Sequence, residues 1–149
     1  GEPMLAHKAS HEARVAVEAI EGQKAVFEPA AIPAVVFTDP EIATVGVTQA
    51  DVESGDVTAE TVLLPLATNA RAKMQGITEG FVKLYAQPGS EIVVGGVVVA
   101  PKASELIYPI ALAVRNRLTV ADLTSTFTVY PSLTGSIAEA ARRLHHADR

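Results

Sequence analysis

Two histidines four residues apart are the first residues in this sequence whose types could do chemistry. His7 and His11 would lie on one face of a helix, which is the geometry of a metal-binding pair. No third ligand accompanies them, so we expect solvated or capping histidines and no metal site. His11 and Glu12 also begin a zinc-protease pattern, HExxH, but Val15 stands where the second histidine is required.

Hydroxyl side chains near the C-terminus form no catalytic group that the spacing identifies. Ser132, Thr134, Ser136 and Asp122 do not match the arrangement of a serine–histidine–aspartate triad. Serine and threonine are preferred N-cap residues, because their hydroxyl oxygen accepts from a free N–H of the first helical turn. We therefore expect Ser132 or Thr134 to cap the last helix.

Two further groups of polar residues have simple interpretations. Arg71 and Lys73 stand in a predicted loop over 69–76, where they could bind an anion, although a solvated loop is the simpler expectation. His145 and His146 are expected at a frayed helix end, where histidines also complement the helix dipole.

Signals for nucleotide and redox chemistry are missing from the sequence. It has neither GxGxxG nor GxxxxGK[ST], the usual loops that cradle nucleotide phosphates. It also has no cysteine, so this chain itself supplies no disulfide, thiolate metal site or redox dithiol. A cysteine-free chain fits a reducing cytosol and is equally compatible with export. The residues alone predict no self-contained active site.

Composition restricts the class of protein. The chain has 149 residues, of which 48% are hydrophobic and 19% charged, and this favours one soluble globular domain. A net charge of -5 and the lack of a basic stretch argue against nucleic-acid binding. The longest apolar run, 92–100, is too short to insert in a membrane. Gly1 to Pro3 resemble the end of a loop that enters a helix, which suggests a piece of a longer chain.

The patterning predicts an α+β fold, with an antiparallel sheet and helices packed on one side of it. The first helix is expected over 3–21, with Pro3 in its first turn and Gly22 as its stop. Gly95 and Gly96 inside a strand indicate a bulge or a close backbone approach. The strands are expected at 32–37, 45–47, 58–66, 81–85 and 92–99, the last two as a hairpin. The remaining helices are expected at 48–53 (capped by Thr48), 103–117, 120–123 and 132–145.

Several stretches resemble one protein family in content and in order. They are similar to the C-terminal region of the flavoprotein disulfide reductases, most of all to dihydrolipoamide dehydrogenase. The stretches are GEPMLAHKASHE, IPAVVFTDPEIATVG, NARAKMQG, GFVKL, VVGGVVVAPKASELI and FTVYPSLTGSIAEAARRLHH. In that family the region is the interface, or dimerisation, domain, and separate FAD- and NAD-binding domains precede it.

The resemblance implies a division of the chain and a role for its start. Residues 1–25 would be a helix trailing from the FAD-binding domain, and 26–149 would be the dimerisation domain. Met4, Leu5 and Ala6 would open a helix whose N-terminus points at the flavin. Free N–H groups and the positive helix end would stabilise negative charge on the reduced flavin.

The resemblance also gives a role to the segment 127–134, which we call the elbow. Most family members read His-x-His-Pro-Thr-x-x-Glu there, and the second histidine is the acid/base that serves the redox thiols of the partner subunit. In this chain Tyr130 stands at that histidine, followed by Pro131, and Gly135 stands at the glutamate. A phenol can donate a proton but is a poor base at neutral pH. Tyr130 and Pro131 would still lie beside the partner's flavin.

The function implied is that of a dimerisation-domain fragment of a FAD-dependent NAD(P)H oxidoreductase. The full-length enzyme would use FAD and NAD(P)H, work as a cytoplasmic homodimer, bind no nucleic acid and not insert in a membrane. The fragment alone would hold no cofactor and be inactive. Two alternatives stay open: an NAD(P)H:quinone-type reductase on the same scaffold without the His/Glu pair, and a free-standing homodimerisation module.

Overall fold

A computed structural model describes residues 1–146 of the chain. The α+β prediction is confirmed, with the elements in the order helix, strands, hairpin, helices. The strands are β1 (Ala34–Val36), β2 (Glu41–Gly46), β3 (Glu60–Pro65), β4 (Phe81–Ala86) and β5 (Val93–Ala100). The helices are α1 (Ala6–Ile20), α2 (Gln49–Glu53), α3 (Ala70–Met74), α4 (Ala103–Asn116), α5 (Val120–Ser125) and α6 (Gly135–His146).

The five strands form one antiparallel sheet in the order β1-β2-β5-β4-β3. The predicted hairpin of β4 and β5 occupies its centre, and β3 and β1 form its edges. Alternation along the strands sends Val82 and Leu84 of β4, with Val98 of β5, into the core. The long helices α4 and α6 cover that face of the sheet, α4 over β2 and β5 and α6 over β3 and β4.

A glycine allows α4 to approach the sheet closely. A Cβ at Gly96 would lie 2.9 Å from Ile110 Cγ2 and 3.0 Å from the carbonyl oxygen of Lys83. Both distances are shorter than packed carbon contacts allow, so only a residue without a side chain fits under the helix. This confirms the close backbone approach predicted for the glycine pair.

Carboxylates organise the starts of three helices. Thr48 and Asp51 form a reciprocal capping box on α2, as Thr119 and Asp122 do on α5. Glu41, at the start of β2, accepts from the Ser104 backbone N–H at 2.9 Å and from its hydroxyl at 2.7 Å. The bond from the Ser104 backbone N–H, and to a smaller extent the bond from its hydroxyl, lower the pKa of Glu41 from its ordinary value. The predicted cap of α2 by Thr48 is therefore present.

Several predicted boundaries were wrong. The strand predicted at 45–47 is β2, which begins at Glu41 because its pairing with β5 extends back to that residue, and the last helix, predicted from 132, begins at Gly135. The first helix begins at Ala6, and Pro3 lies outside it because the chain turns there, with the Leu5 N–H bonded to the Pro3 carbonyl at 3.0 Å. The predicted loop over 69–76 contains α3, whose Ala72 is fully buried in the core. Gly22 ends the first helix as predicted, with a φ of 81°.

The first helix packs on the segment after it and not on the sheet. His7 Nε2 lies 2.7 Å from the Pro33 carbonyl oxygen, and the His11 and Phe27 rings meet edge to face at 5.6 Å between centroids. Much of its apolar surface is open: Val17 is 54% exposed and Ile20 84%. The helix thus has side chains that no described residue covers.

Candidate functional site

The elbow presents large apolar side chains to the surface. Phe127 is fully exposed at 102%, and Val129 and Tyr130 are 79% and 84% exposed. Pro131, half-buried, follows a cis Tyr130–Pro131 peptide bond. A segment with this exposure is typical of a contact surface, since isolated proteins rarely present contiguous apolar side chains.

Hydrogen bonds fix the elbow to the folded core. Ser132 Oγ accepts from the Gly135 N–H at 3.1 Å, so Ser132 is the predicted cap of the last helix. The Asn69 side chain donates to the Ser132 carbonyl oxygen at 3.0 Å and to Ser136 Oγ at 2.7 Å. Ser136 is only 1% exposed, and Asn69 satisfies its hydroxyl. The elbow is therefore held, two residues after Tyr130, by a side chain from the middle of the chain.

Asn69 also organises its own neighbourhood, and sequence reasoning missed it. Its Oδ1 accepts from the backbone N–H groups of Arg71 at 2.8 Å and Ala72 at 3.2 Å, which caps α3. The signal was an asparagine directly before a short run of helix formers. Arg71 and Lys73, predicted in a loop, stand on the helix that Asn69 starts.

A cavity of about 290 Å³ lies between the elbow and α6. We call it the elbow cavity. Tyr130, Pro131 and Gly135 line it, so the structure brings these sequence-predicted residues together. A Cβ at Gly135 would lie 3.6 Å from Ser132 Oγ, an ordinary contact, and so the position has room for a side chain. The other lining residues are Thr68, Asn69, Ala70, Thr128, Val129, Ser132, Glu139, Arg142 and Arg143.

Three charged side chains of α6 line the elbow cavity. Glu139 Oε2 accepts from Arg142 Nε at 2.9 Å, and Glu139 Oε1 lies 3.6 Å from Arg143 Nε. One carboxylate thus serves two guanidinium groups. Sequence reasoning gave no role to Arg142 and Arg143, because their neighbourhood with Tyr130 depends on how the elbow folds back on α6.

The other side of the elbow is an apolar groove of about 350 Å³. Phe127 and Val129 line it together with Leu123 of α5 and Ile137 of α6. Pro109, inside α4, closes the same groove. The elbow therefore separates a polar cavity from an apolar one.

Met4, Leu5 and Ala6 line a separate concavity of about 400 Å³ at the start of α1. No side chain caps the first turn of this helix, so its free N–H groups have no side-chain acceptor. Lys8, 6% exposed, donates from Nζ to Glu12 Oε1 at 2.7 Å and to the Gly1 carbonyl at 3.0 Å. The hydrogen bond from Lys8 lowers the pKa of Glu12.

The histidines whose side chains the structure describes are not part of a metal site. Within residues 1–146 no group of three or more His, Cys, Asp or Glu side chains is placed to hold a metal ion. His145, predicted at a frayed end, is instead bonded: its Nδ1 lies 2.9 Å from Glu91 Oε1. The prediction was wrong because Glu91 belongs to the β4–β5 turn, which folding brings to the end of α6. The side chain of His146 lies outside the described residues.

None of the helices in the described part of the chain is both long enough and apolar enough to cross a membrane. The predicted roles of Met4, Leu5, Ala6, Tyr130 and Pro131 toward a flavin concern a group outside this chain, and they stay predictions.

Comparison with known proteins identifies the family. The model of the pyridine nucleotide-disulphide oxidoreductase dimerisation domain matches residues 32–141, so the chain belongs to this family. An NAD(P)H dehydrogenase (quinone) of Mycobacterium tuberculosis is 60% identical over 113 residues, which are 76% of this chain and 23% of that protein. Dihydrolipoyl dehydrogenase 2 of Haloarcula marismortui is 42% identical over 141 residues, or 95% of this chain and 30% of that protein.

Solved structures agree with the fold. The crystal structure of LpdA from Mycobacterium tuberculosis superposes with a TM-score of 0.90 at 51% identity, covering 97% of this chain and 32% of that one. RclA, an HOCl-induced flavoprotein disulfide reductase of Escherichia coli, gives a TM-score of 0.81 at 19% identity over 89% of this chain and 31% of that one. The second likeness supports the fold alone. This chain therefore spans a third or less of each of these relatives.

Proposed function

We propose that this chain is the dimerisation domain of a longer FAD-dependent NAD(P)H oxidoreductase that reduces quinones. The protein resembles dihydrolipoamide dehydrogenase in scaffold and differs in its electron acceptor. In this proposal residues 1–25 trail from the FAD-binding domain, and residues 26–149 form the interface of a homodimer. The overall reaction converts NAD(P)H, a proton and a quinone to NAD(P)⁺ and a hydroquinone.

The proposal rests on the identity of two residues: Tyr130 in the elbow and Gly135 at the start of α6. Disulfide exchange with lipoamide requires a base that titrates near neutral pH, and a carboxylate to orient it. Tyr130 and Gly135 supply neither. The nearest carboxylate on α6, Glu139, is engaged with Arg142 and Arg143. Quinone reduction needs no base to activate a thiol, and it is compatible with this elbow.

The relatives support this assignment of the acceptor. The relative at 60% identity is named for quinone reduction, and the one at 42% is named for dihydrolipoyl oxidation. The greater similarity is thus to the protein named for quinones. Both names describe those proteins, and the elbow extends the first of them to this chain.

One structural observation suggests that the start of α1 suits a negatively charged group of a cofactor. Its first turn has no side-chain cap, and Met4, Leu5 and Ala6 line the concavity in front of it. Backbone N–H groups would then hold negative charge through the helix dipole. FAD, when bound, carries electrons from NAD(P)H to the acceptor. Tyr130 and Pro131, in a separate cavity, would serve the partner subunit's site.

The same division implies that the fragment is inactive on its own. One helix N-terminus cannot bury a dinucleotide, because such ligands lose most of their surface to a pocket when they bind. The exposed elbow and the open side chains of α1 would be covered in the full-length dimer. Phe127 is the most exposed large apolar side chain in the described part of the chain.

The test compares two acceptors with the full-length protein. Turnover of NADH and NADPH is measured with lipoamide and with an uncharged naphthoquinone at matched concentrations. We expect quinone turnover and lipoamide turnover at least ~100-fold lower, the usual loss when a general acid/base is missing. Lipoamide turnover equal to or above that of the quinone would contradict the proposal. A start codon at Gly1 in the gene would favour the free-standing module.

A further inference from the structure

We propose that the elbow cavity binds an anionic substituent of the electron acceptor through Arg142 and Arg143. The inference rests on the proposed function and adds a substrate class: quinones that carry a carboxylate or a sulfonate. Uncharged quinones would react at the same elbow without this contact.

The charge of the cavity carries the argument. Among the described residues, the charged ones that line it are Glu139, Arg142 and Arg143, which together carry one net positive charge. The whole chain has a net charge of -5, so the cavity is a basic spot on an acidic protein. A concave site with a net positive charge concentrates anionic ligands.

The guanidinium groups have donors to spare. Among residues 1–146, Glu139 is the only carboxylate that pairs with either arginine, and it does so through their Nε atoms. An arginine carries five N–H donors, and the terminal ones suit a carboxylate or sulfonate in two parallel bonds. In the isolated chain both side chains are about half exposed, at 46% and 49%, so the chain's own residues leave them open to a solute.

The shape and neighbours of the cavity limit what binds there. About 290 Å³ is near the lower end of the ~300–1,000 Å³ range of small-molecule pockets, so it suits a small ring or a substituent and not a dinucleotide. Gly135 leaves the wall open, and the Ser132 hydroxyl, which accepts from the Gly135 N–H, keeps its own proton to donate. Tyr130 lines the same cavity. An anion held by the arginines is therefore placed beside Tyr130, which stands at the position of the family's acid/base histidine.

The experiment uses full-length FAD-containing protein and two quinones, 1,4-naphthoquinone and its 2-sulfonate. KM and kcat are measured for the wild type, for Arg142→Gln with Arg143→Gln, and for Arg117→Gln. Arg117 is exposed at the end of α4 and does not line the elbow cavity, so it controls for loss of charge. Circular dichroism establishes that the variants fold alike.

We expect the double variant to raise KM for the sulfonate at least ~10-fold, as loss of charged hydrogen bonds predicts. KM for the uncharged quinone should change less than ~2-fold, and Arg117→Gln should leave both values near wild type. A rise of equal size for both quinones, or for neither, would overturn the subsite. Sulfate competition against the sulfonate alone supports binding of the anionic group, whereas equal inhibition with both quinones also overturns it.

Direct binding separates this inference from the proposed function. If the wild type reduces neither quinone, the proposed function fails, and calorimetry with naphthalene-2-sulfonate then decides on the subsite. A Kd that rises at least ~10-fold in the double variant, and not in Arg117→Gln, supports an anion site without quinone chemistry. An unchanged Kd rejects the site.

Discussion

The side chains of Asn69 and Ser136 are hydrogen-bonded at 2.7 Å across 67 positions of the sequence. One is the first cap of α3, and the other is the buried hydroxyl in the first turn of α6. This bond connects the middle of the chain to the elbow. Whatever Tyr130 does at the surface depends on that connection, because the same asparagine also holds the Ser132 carbonyl.

Asn69→Ala removes the side chain that both caps α3 and bonds to Ser136. The change deletes the cap of α3 and leaves the buried Ser136 hydroxyl without its partner, and we expect the free energy of unfolding to fall by about 2 kcal/mol. Chemical denaturation of the chain measures it. Asn116→Ala is the matched control, since that side chain bonds only to the Leu112 carbonyl on an exposed face. Equal losses for the two variants would contradict the assigned role.

Gly96→Ala should be far more harmful than Gly135→Ala. A methyl group at 96 meets Ile110 and the Lys83 carbonyl within 3.0 Å, so we expect a loss of about 1–3 kcal/mol by overpacking. At 135 the nearest atom to the same methyl group is Ser132 Oγ at 3.6 Å, an ordinary van der Waals contact. The change should therefore be neutral or stabilising by up to ~1 kcal/mol. Thermal unfolding of both variants compares them. A destabilised Gly135→Ala would show that position 135 is confined.

Glu41→Gln should flatten the acid dependence of stability. The pKa of Glu41 is lowered in the folded state by its bonds from Ser104, so its stabilisation is present above the ordinary value of 4.5. It is lost as pH falls through the folded-state pKa, because the unfolded chain then binds the proton more readily. The difference in thermal midpoint between wild type and variant should therefore shrink as pH falls below 4.5. Glu79→Gln, an exposed change without a hydrogen-bond partner among the described residues, should show no such trend.

Phe127→Ser should weaken the dimer of the full-length protein. An aromatic side chain buries roughly 150–250 Å² when it is covered, and this one is entirely open in the isolated chain. We expect the dissociation constant, measured by analytical ultracentrifugation, to rise at least ~10-fold. Val36→Ser is the control, since that side chain is 58% exposed and lies on β1, at the opposite edge of the sheet from β3, on which α6 packs. A dimer unaffected by either change would contradict the proposed interface.

Local signals account for the parts of the fold that were predicted correctly. The hairpin of β4 and β5 is predicted by the sequence of two β-rich segments joined by a short polar turn. The start of α2 is predicted by Thr48, a residue type that caps helices. Both depend only on residues a few positions apart. The resemblance likewise identified the family, because it depended on long ordered stretches and not on single residues.

The parts that failed depend on distant partners. The five-residue α3 is too short to show a helical period, and it is stabilised by the Asn69 cap and by burial of Ala72. His145 looked like a loose end because Glu91 is 54 residues away in sequence. The basic lining of the elbow cavity escaped notice for the same reason: Arg142 and Arg143 read as ordinary surface of α6 until the elbow lies against them.

The conformation and surroundings of Gly135 bear on why no carboxylate stands at this position. Its backbone φ lies outside the left-handed region that favours glycine, and its surroundings leave room for a side chain. Neither conformation nor packing obliges this position to stay empty. The absence of a carboxylate at 135 is therefore imposed neither by the backbone nor by the packing around a Cβ at this position.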